Sequence, residues 1–242
     1  MKLPIHIKRD GGFTLLELLI VIAIIAILSI ALVFMLNPAE TLKKARDAQR
    51  ISDLKSVKTA LGIMLTSTST PSLDGTFSAT TPVNCLTKGD GTASGALGAH
   101  IAYSSASAPT SGVTATPGAD AALTSTFAAS GTYSSTAGKV DGTGWIPVNL
   151  KSVVGGSPIS SYPVDPVNTV SAVASASDLV YRYACQNGSL TSKPAFAFEI
   201  NAVLESNAYA VDENKDAKDG GDNDSFYETG NSLNLLPTSG AF

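Results

Sequence analysis

An uninterrupted apolar segment near the start of the chain limits what the protein can fold into. From Phe13 to Leu36 only three residues are polar, and the final 19 residues of this segment, 18–36, carry no charge. As a helix rising about 1.5 Å per residue, the segment would be roughly 36 Å long, enough for a hydrocarbon core of about 30 Å. A cleaved secretory signal peptide usually has a shorter apolar region that ends in small residues. We therefore expect a membrane-spanning helix over residues 13–36.

Charge divides the chain into two unequal parts. Residues 1–65 carry nine basic and five acidic residues, whereas residues 66–242 carry seven and 15, so the net charges are +4 and −8. Charged residues make up 15% of the chain, against roughly 25% in ordinary soluble domains. This composition argues against a typical nucleic-acid-binding domain, which would be basic, and against a wholly disordered chain.

Both flanks of the apolar segment are basic, so the positive-inside rule alone does not set its orientation.

The carboxylate of Glu17 lies inside the apolar segment. An ionised carboxylate in a hydrocarbon core costs roughly 2.5–3.5 kcal/mol on insertion scales, so such residues are usually paired and functional. Glu17 is four residues after Phe13, which follows Gly12. A cut between Gly12 and Phe13 would create an amine that could pair with this carboxylate, in the same chain or in a neighbouring subunit. The alternative is that Glu17 reaches the headgroups at the membrane edge.

A resemblance to a known family rests on the residues around this junction, which are Lys8, Arg9, Asp10, Gly11, Gly12, Phe13, Thr14, Leu15, Leu16 and Glu17. They resemble the cleavage and methylation motif of bacterial type IV pilins and type II secretion pseudopilins. In that motif a short basic leader and a glycine precede Phe-Thr-Leu-x-Glu and a long apolar helix. The resemblance implies cleavage after Gly12 by a membrane prepilin peptidase, N-methylation of Phe13 and a role for Glu17 in assembly. It also implies a cytoplasmic leader and an external carboxyl-terminal part.

The same resemblance implies a structural subunit rather than an enzyme. We expect an α+β fold in which one long helix, first transmembrane and then amphipathic, packs on a carboxyl-terminal antiparallel sheet. The expected partners are copies of the chain in a helical polymer, the prepilin peptidase, the assembly machinery and the membrane, whereas nucleic-acid binding stays open. The precursor would be single-pass in the cytoplasmic membrane and would become part of a cell-surface filament.

Three functions are consistent with these features. The first is a prepilin subunit of a type IV pilus or related filament. The second is a pseudopilin of a type II secretion or DNA-uptake system. The third belongs to another class, a monomeric surface-binding protein for which the apolar helix is only a membrane anchor.

Five segments follow from composition and periodicity. We expect them to be a leader (1–12), a transmembrane or filament-core helix (13–36), an amphipathic helix (37–65), a Ser/Thr/Ala/Gly-rich loop region (66–143) and a β-sheet head with an acidic loop (144–242). Pro38 predicts a break between the two helices. In the amphipathic helix we expect an apolar face that contains Leu42, Leu54 and Met64, and a mostly basic solvated face that contains Arg50.

The last two segments differ in their patterns. Ser, Thr, Ala and Gly make up 51 of the 75 residues from 66 to 140, which is typical of surface loops or of a disordered linker. Further on, alternation predicts strands over 145–150, 179–183 and 196–204, in a sheet with one buried face. The turn 162–168 resembles the Pro-x-Asp-Pro-x-Gly loop of major pseudopilins, with Asn168 near the glycine position.

An acidic loop and two cysteines complete the candidate sites. Asp219, Asp222 and Asp224 lie in a glycine-containing acidic cluster over 211–228, and such oxygen ligands suit Ca²⁺. The EF-hand spacing is absent, but major pseudopilins carry a calcium loop in this region, so the resemblance favours Ca²⁺ as the one possible cofactor, against a merely solvated loop. Cys85 and Cys185 predict a disulfide in an exported domain, against two buried free thiols.

Overall fold

The computed structural model describes residues 12–69, 71–73, 101–105, 137–171, 175, 177–186 and 196–236. Residues 1–11 of the expected leader, Cys85 and most of the Ser/Thr/Ala/Gly-rich region lie outside the described residues. The chain divides into two compact units, Met1–Leu42 and Lys43–Phe242.

The first unit is dominated by the helix α1 (Leu15–Leu36). This helix ends at Asn37, which adopts a left-handed conformation with φ 38°, a conformation that asparagine tolerates better than most residues. The next helix, α2 (Pro38–Ser67), begins at Pro38, since proline suits the first helical position. The Oδ1 atom of Asn37 accepts a hydrogen bond from the backbone N–H of Glu40 at 3.4 Å. The break expected at Pro38 is confirmed.

Within the second unit, α2 packs its buried face into the core. Its buried apolar residues are Leu54, Val57, Ala60, Leu61 and Met64. These repeat at three- or four-residue steps, so they share one side of the helix. Most of the predicted apolar face is confirmed.

Two residues of α2 depart from the predicted pattern. Leu42 was expected on the apolar face but is 62% exposed. Arg50 was expected on the solvated face but is fully buried, as is Asp47 one turn earlier. The prediction for Arg50 was wrong because periodicity assigns a charged residue to solvent, whereas buried carboxylates surround this guanidinium.

The second unit also contains a four-stranded antiparallel sheet. Its strands are β1 (Ala102–Tyr103), β2 (Arg182–Gln186), β3 (Ala197–Ala202) and β4 (Tyr227–Gly230), in the order β1-β2-β3-β4. The helices together with this sheet confirm the α+β class. The expected strand over 179–183 begins later, at Arg182, and the one over 196–204 is confirmed as β3. The strand β4 had no counterpart in the prediction, because its first two residues belong to the acidic cluster.

The segment expected to be a strand over 145–150 has another structure. It is irregular and leads into a single 3-10 turn, Leu150–Ser152. The indole N–H of Trp145 donates to the carbonyl of Pro163 at 2.8 Å. The alternation of apolar and polar residues in this segment therefore reflects burial against a loop. Pro147 has no N–H to give to a neighbouring strand.

Both faces of the sheet are buried. On one face Tyr183, Cys185, Phe198, Ile200 and Ala202 join the α2 residues in a single hydrophobic core. On the other face the polar side chains are also covered, and these are Arg182, Gln186, Glu199, Asn201 and Glu228. The expectation of one solvated face was therefore wrong, since alternation reports side-chain polarity and does not report what covers a face.

Arg50 joins α2 to two other parts of the second unit. Its Nε and Nη2 atoms donate to the two carboxylate oxygens of Asp165 at 2.6 and 2.9 Å. Its Nη1 atom donates to Asp47 at 2.8 Å and to Glu205 at 2.7 Å. Asp47 in turn accepts the backbone N–H groups of Glu205 and Ser206. The helix is thus fixed both to the turn that contains Asp165 and to the segment that follows β3.

The turn around Asp165 is shaped by its own side chain. Asp165 Oδ1 accepts the backbone N–H groups of Val167 and Asn168 at 2.8 and 3.3 Å. Asn168 adopts a left-handed conformation with φ 54°. Glycine adopts this conformation more readily than other residues. In the pseudopilin loop that the turn resembles, a glycine lies near the sequence position that Asn168 has here.

Replacing Arg50 with alanine should strongly destabilise the second unit. The change would leave the carboxylates of Asp47 and Asp165 buried without their counterion, and breaking such a buried pair costs about 3–5 kcal/mol. Urea unfolding of the full chain in detergent, followed by the fluorescence of the single tryptophan, Trp145, measures this loss. Arg46→Ala is the matched control, because Arg46 also binds Glu205 but is partly exposed. Equal losses in both variants would contradict the role assigned to Arg50.

Candidate processing and assembly site

The Gly12–Phe13 junction lies in exposed backbone without regular secondary structure, just before α1. Phe13 is 86% exposed, and a Cβ atom added at Gly12 would meet no atom within 4 Å. Gly12 also lacks the positive φ that only glycine adopts readily. The fold therefore gives no reason for glycine at this position, and the peptide bond that follows it is open to an enzyme.

A capping box closes the first turn of α1. The hydroxyl of Thr14 accepts the backbone N–H of Glu17 at 3.2 Å. In return, Glu17 Oε2 accepts the backbone N–H of Thr14 at 2.9 Å and its hydroxyl at 2.8 Å. These reciprocal bonds satisfy helix N–H groups that have no partner within the helix. The carboxylate of Glu17, the fifth residue after the expected cleavage site, is thus held at the start of its own helix.

The rest of α1 presents apolar side chains on all sides. One stretch of it, Leu15–Val33, is long and apolar enough to cross a membrane, and none of it is buried within the described parts of the chain. Its Ser29 hydroxyl donates to the carbonyl of Ile25 at 2.7 Å, so this polar group is satisfied inside the helix. A helix that is apolar all round needs lipid or other apolar helices around it. Its surface therefore suits both a membrane and a bundle of like helices.

Cleavage after Gly12 would change the chemistry next to the capping box. In the uncut chain the nitrogen of Phe13 belongs to a peptide bond and carries no charge. Cutting converts it into an amine one residue before Thr14, beside the carboxylate that the box already orients. That carboxylate would then have two possible cationic partners, the amine of its own chain and that of a neighbouring chain. The pairing expected for Glu17 between subunits stays a prediction.

The structure does not bring the three candidate calcium ligands together. Asp219 accepts the backbone N–H groups of Gly221 and Glu228, and burial raises the pKa of its carboxyl. Asp222 is half-buried and Asp224 is exposed. In the ranges that the structure describes, no group of three or more Asp, Glu, His or Cys residues is arranged to hold a metal ion. Calcium binding by Asp219, Asp222 and Asp224 therefore stays a prediction without a preformed ligand set.

The structure describes only one of the two cysteines of the predicted disulfide. Cys185 lies on β2 and is buried in the core against α2, whereas Cys85 lies outside the described residues. A bond between them would close a loop of about 100 residues, and the chain-entropy model assigns such a loop a stabilisation of about 4–5 kcal/mol.

Sequence reasoning missed two features that the structure reveals. Thr14 was not identified as the partner of Glu17, although Thr-x-x-Glu before an apolar run is a known capping-box pattern. Asp47 and Arg50, three residues apart on α2, were not identified as a buried ion pair. Their partners Asp165 and Glu205 lie more than a hundred residues away in the sequence, so no local pattern indicates them.

Comparison with known proteins identifies the amino-terminal segment. Residues 7–33 match the family model described as the prokaryotic N-terminal methylation motif, which is the prepilin motif of type IV pilins and pseudopilins. No curated protein and no solved structure matches the chain. The matched residues contain the Gly12–Phe13 junction, the capping box and most of α1. The motif supports a pilin-like or pseudopilin precursor, and within the described residues one helix is long and apolar enough to anchor it in a membrane.

Removing the cap should loosen the first turn of α1. Thr14→Ala deletes the hydroxyl that receives the Glu17 N–H, and loss of such a cap costs about 1 kcal/mol. We expect faster amide hydrogen exchange at residues 15–18 of the full chain in detergent micelles, with the middle of α1 unchanged. Thr14→Ser keeps the hydroxyl and should exchange like the unmodified chain. Unchanged protection in Thr14→Ala would show that the box does not stabilise the helix.

Alkylation should reveal whether the cysteines are paired. If Cys85 and Cys185 form a disulfide, a thiol reagent applied to the urea-unfolded chain should add no mass until the protein is reduced. It should then add two groups, which intact-protein mass spectrometry resolves. Two groups added without reduction would show free thiols. A Cys185→Ser variant serves as the control, because its single remaining thiol should react in both conditions.

Proposed function

We propose that this pilin-like or pseudopilin precursor is the structural subunit of a type IV pilus or a related filament. In this proposal the chain is cut after Gly12, methylated on Phe13 and assembled through α1. The observation that carries it is the uncovered apolar helix that begins with an oriented carboxylate directly after an accessible Gly–Phe junction. A helix that served only as a tether would need neither that carboxylate nor that junction.

The proposed assembly step rests on electrostatics in an apolar surrounding. When α1 leaves the lipid and packs against neighbouring helices, Glu17 remains in a medium where an unpaired charge is costly. The methylated amine of Phe13 in an adjacent subunit would supply the counterion, and the pairing would be strong only when the two helices have the correct axial offset. The pair would therefore set the register of the filament as well as offset the cost of burying the carboxylate.

The glycine at the junction supports the processing step. Because a Cβ at Gly12 would meet nothing in the chain itself, a requirement for glycine would come from the active site of the peptidase. The leader would stay in the cytoplasm, and the second unit would be outside the membrane. There its acidic composition and hydroxyl-rich region would form the surface of the filament.

A pseudopilin of a secretion or DNA-uptake system is the second candidate. It is favoured by the turn around Asp165, where Asn168 takes the left-handed conformation that suits the glycine of the pseudopilin loop. Electron microscopy of sheared extracellular filaments would distinguish the candidates. A long surface filament with this chain as its main subunit supports the pilus, and a short periplasmic or cell-bound assembly supports the pseudopilin.

Two substitutions should separate processing from assembly. We expect Gly12→Leu to block cleavage, because the added side chain would occupy the space that the peptidase requires. We expect Glu17→Val to allow cleavage but to reduce the filament yield by tenfold or more, because the intersubunit pair is lost. Mass spectrometry of the membrane fraction reports whether the chain begins at methylated Phe13, and shearing followed by immunoblotting reports the filaments.

The matched control for the second change is Glu40→Val. Glu40 is a glutamate in the first turn of α2, so its loss tests removal of a carboxylate without touching the proposed pair. Its filament yield should equal that of the unmodified chain. Normal filaments from both Gly12→Leu and Glu17→Val would refute the proposal. Mature methylated protein that never enters a filament in any variant would support a monomeric membrane-anchored protein instead.

A further inference from the structure

Three lysines follow one side of α2. Lys44, Lys55 and Lys58 are exposed, and at 3.6 residues per turn they lie within about 60° of one another around the helix axis. The ammonium groups of Lys55 and Lys58 form no ion pair with a described residue. An exposed lysine is common on a helix, so the surroundings of these two decide whether they have a partner on another molecule.

Lys55 also lines an open cavity between α2 and the loop that precedes β4. The cavity has a volume of about 310 Å³, and its other walls come from Ile51, Glu213, Lys215, Lys218, Asp219 and Tyr227. Five of these seven residues are charged, whereas pockets for small molecules are mostly apolar. The cavity therefore suits a charged side chain of another protein better than a small apolar ligand.

The two carboxylates in the cavity wall already have partners. Glu213 binds the ammonium of Lys215 at 2.6 Å, and its backbone carbonyl accepts from Lys218 Nζ at 2.8 Å. Asp219 accepts two backbone N–H groups of its own loop. Neither carboxylate forms an ion pair with Lys55, so the positive charge of Lys55 is not compensated there.

Lys44 differs from Lys55 and Lys58 because its ammonium is engaged within the chain. Lys44 Nζ lies 5.2 Å from the centroid of the Tyr209 ring, and Lys215 Nζ lies 4.8 Å from the same centroid. Such cation–π contacts hold an ammonium in place. Lys55 and Lys58 are therefore the two lysines on this side of α2 that remain for a partner.

The opposite charge is concentrated at the carboxyl-terminal end of the chain. Residues 219–242 contain four acidic residues and no lysine or arginine. Asp224 is the exposed one among the four, and it forms no ion pair with a described residue. One chain thus carries exposed charges of both signs, on two different elements, that are not neutralised by each other.

We propose that Lys55 and Lys58 bind Asp224 and the acidic segment around it, residues 219–228, in a second copy of the chain. The contact rests on the proposed function, because the α1 helices would bring the copies together. Since the lysines and the acidic segment lie on different elements, each copy can bind one neighbour through its lysines and another through its acidic segment. An open filament requires this kind of head-to-tail contact.

The expected strength of the contact follows from its exposure. Exposed ion pairs are individually weak and are screened by salt. Charge complementarity contributes more to the rate of encounter and to the choice of register than to affinity. The contact therefore aligns neighbouring subunits, while the apolar surfaces of the α1 helices supply most of the association energy.

Cross-linking without a spacer tests the contact. A carbodiimide joins an amine directly to a carboxylate that it touches, and covalent dimers separate from monomers on a denaturing gel. The reagent is applied, with a chelator present, to membranes that contain the full chain and to sheared filaments. We expect dimers in which mass spectrometry finds Lys55 or Lys58 joined to residues 219–228. These dimers should be lost in about 1 M salt, where charges are screened beyond about 3 Å.

Charge reversal and its rescue distinguish a specific pair from a general effect of charge. Lys55→Glu combined with Lys58→Glu should lower the dimer yield by about tenfold, as expected for the loss of two weak pairs. Adding Asp224→Lys should restore the yield, because the attraction is re-formed with the signs exchanged. Lys139→Glu is the matched control, since Lys139 is an exposed lysine away from α2 and its reversal should change nothing. The mapping of dimers in the unmodified chain remains decisive if a variant does not fold.

The outcomes separate this contact from the proposed function. Filaments whose dimers never contain Lys55 or Lys58 would overturn the contact and leave the filament subunit in place. Membrane dimers joined through these lysines and residues 219–228, without any filament, would support the contact and refute the pilus. Dimers that survive the double reversal, or an absence of dimers from both samples, would overturn the contact. Lysines that are protected from an amine reagent only in membranes rich in anionic lipid would overturn it too, because the lipid surface would then be their partner.

Discussion

The second unit depends on the burial of one guanidinium. Arg50 is fully covered and is bound by the carboxylates of Asp47, Asp165 and Glu205. The four charges neutralise one another only while α2, the turn that contains Asp165 and the segment that follows β3 are all in place. The hydrophobic core could tolerate small shifts of α2, since apolar contact has no strict direction. The bidentate pair with Asp165 could not, because both of its hydrogen bonds depend on the orientation of the guanidinium. Burying an ion pair does not by itself add stability, but this one specifies where the helix lies against the turn and the sheet.

The first unit depends on a different constraint, the absence of water around α1. In such a medium every polar group must find a partner within the helix or on another molecule. Ser29 does so through a carbonyl of the preceding turn, and Thr14 and Glu17 do so through each other. The capping box is therefore a way to hold a carboxylate in an apolar segment before any neighbouring subunit arrives. On assembly, the Glu17 carboxylate would exchange its bonds to Thr14 for a pair with the Phe13 amine of a neighbouring subunit. Its charge would not be left without a partner between the two states.

The parts that could be predicted from the sequence are those with a local cause. The apolar length of α1, the break at Pro38, the buried stripe of α2 and the strand β3 all follow from spacing or from the chemistry of one residue. The errors have non-local causes. Arg50 was assigned to solvent because its partners are distant in sequence, and the covered second face of the sheet was missed because the covering segment is irregular. In the candidate site, the junction and Glu17 could be identified from their motif.

A sheet with both faces covered has a further consequence for how such a protein can change over time. Neither face of the described strands is available to receive a partner, and β1 and β4 are only two and four residues long, which leaves little edge for another strand to extend. Recognition would then fall to exposed residues of the loops, away from the turn that contains Asp165 and the segment that contains Glu205, because their substitution disturbs neither the core nor the ion pairs. Variants of this chain could therefore acquire new surface properties at low risk to their folding, while the strands and the two helices stay nearly constant.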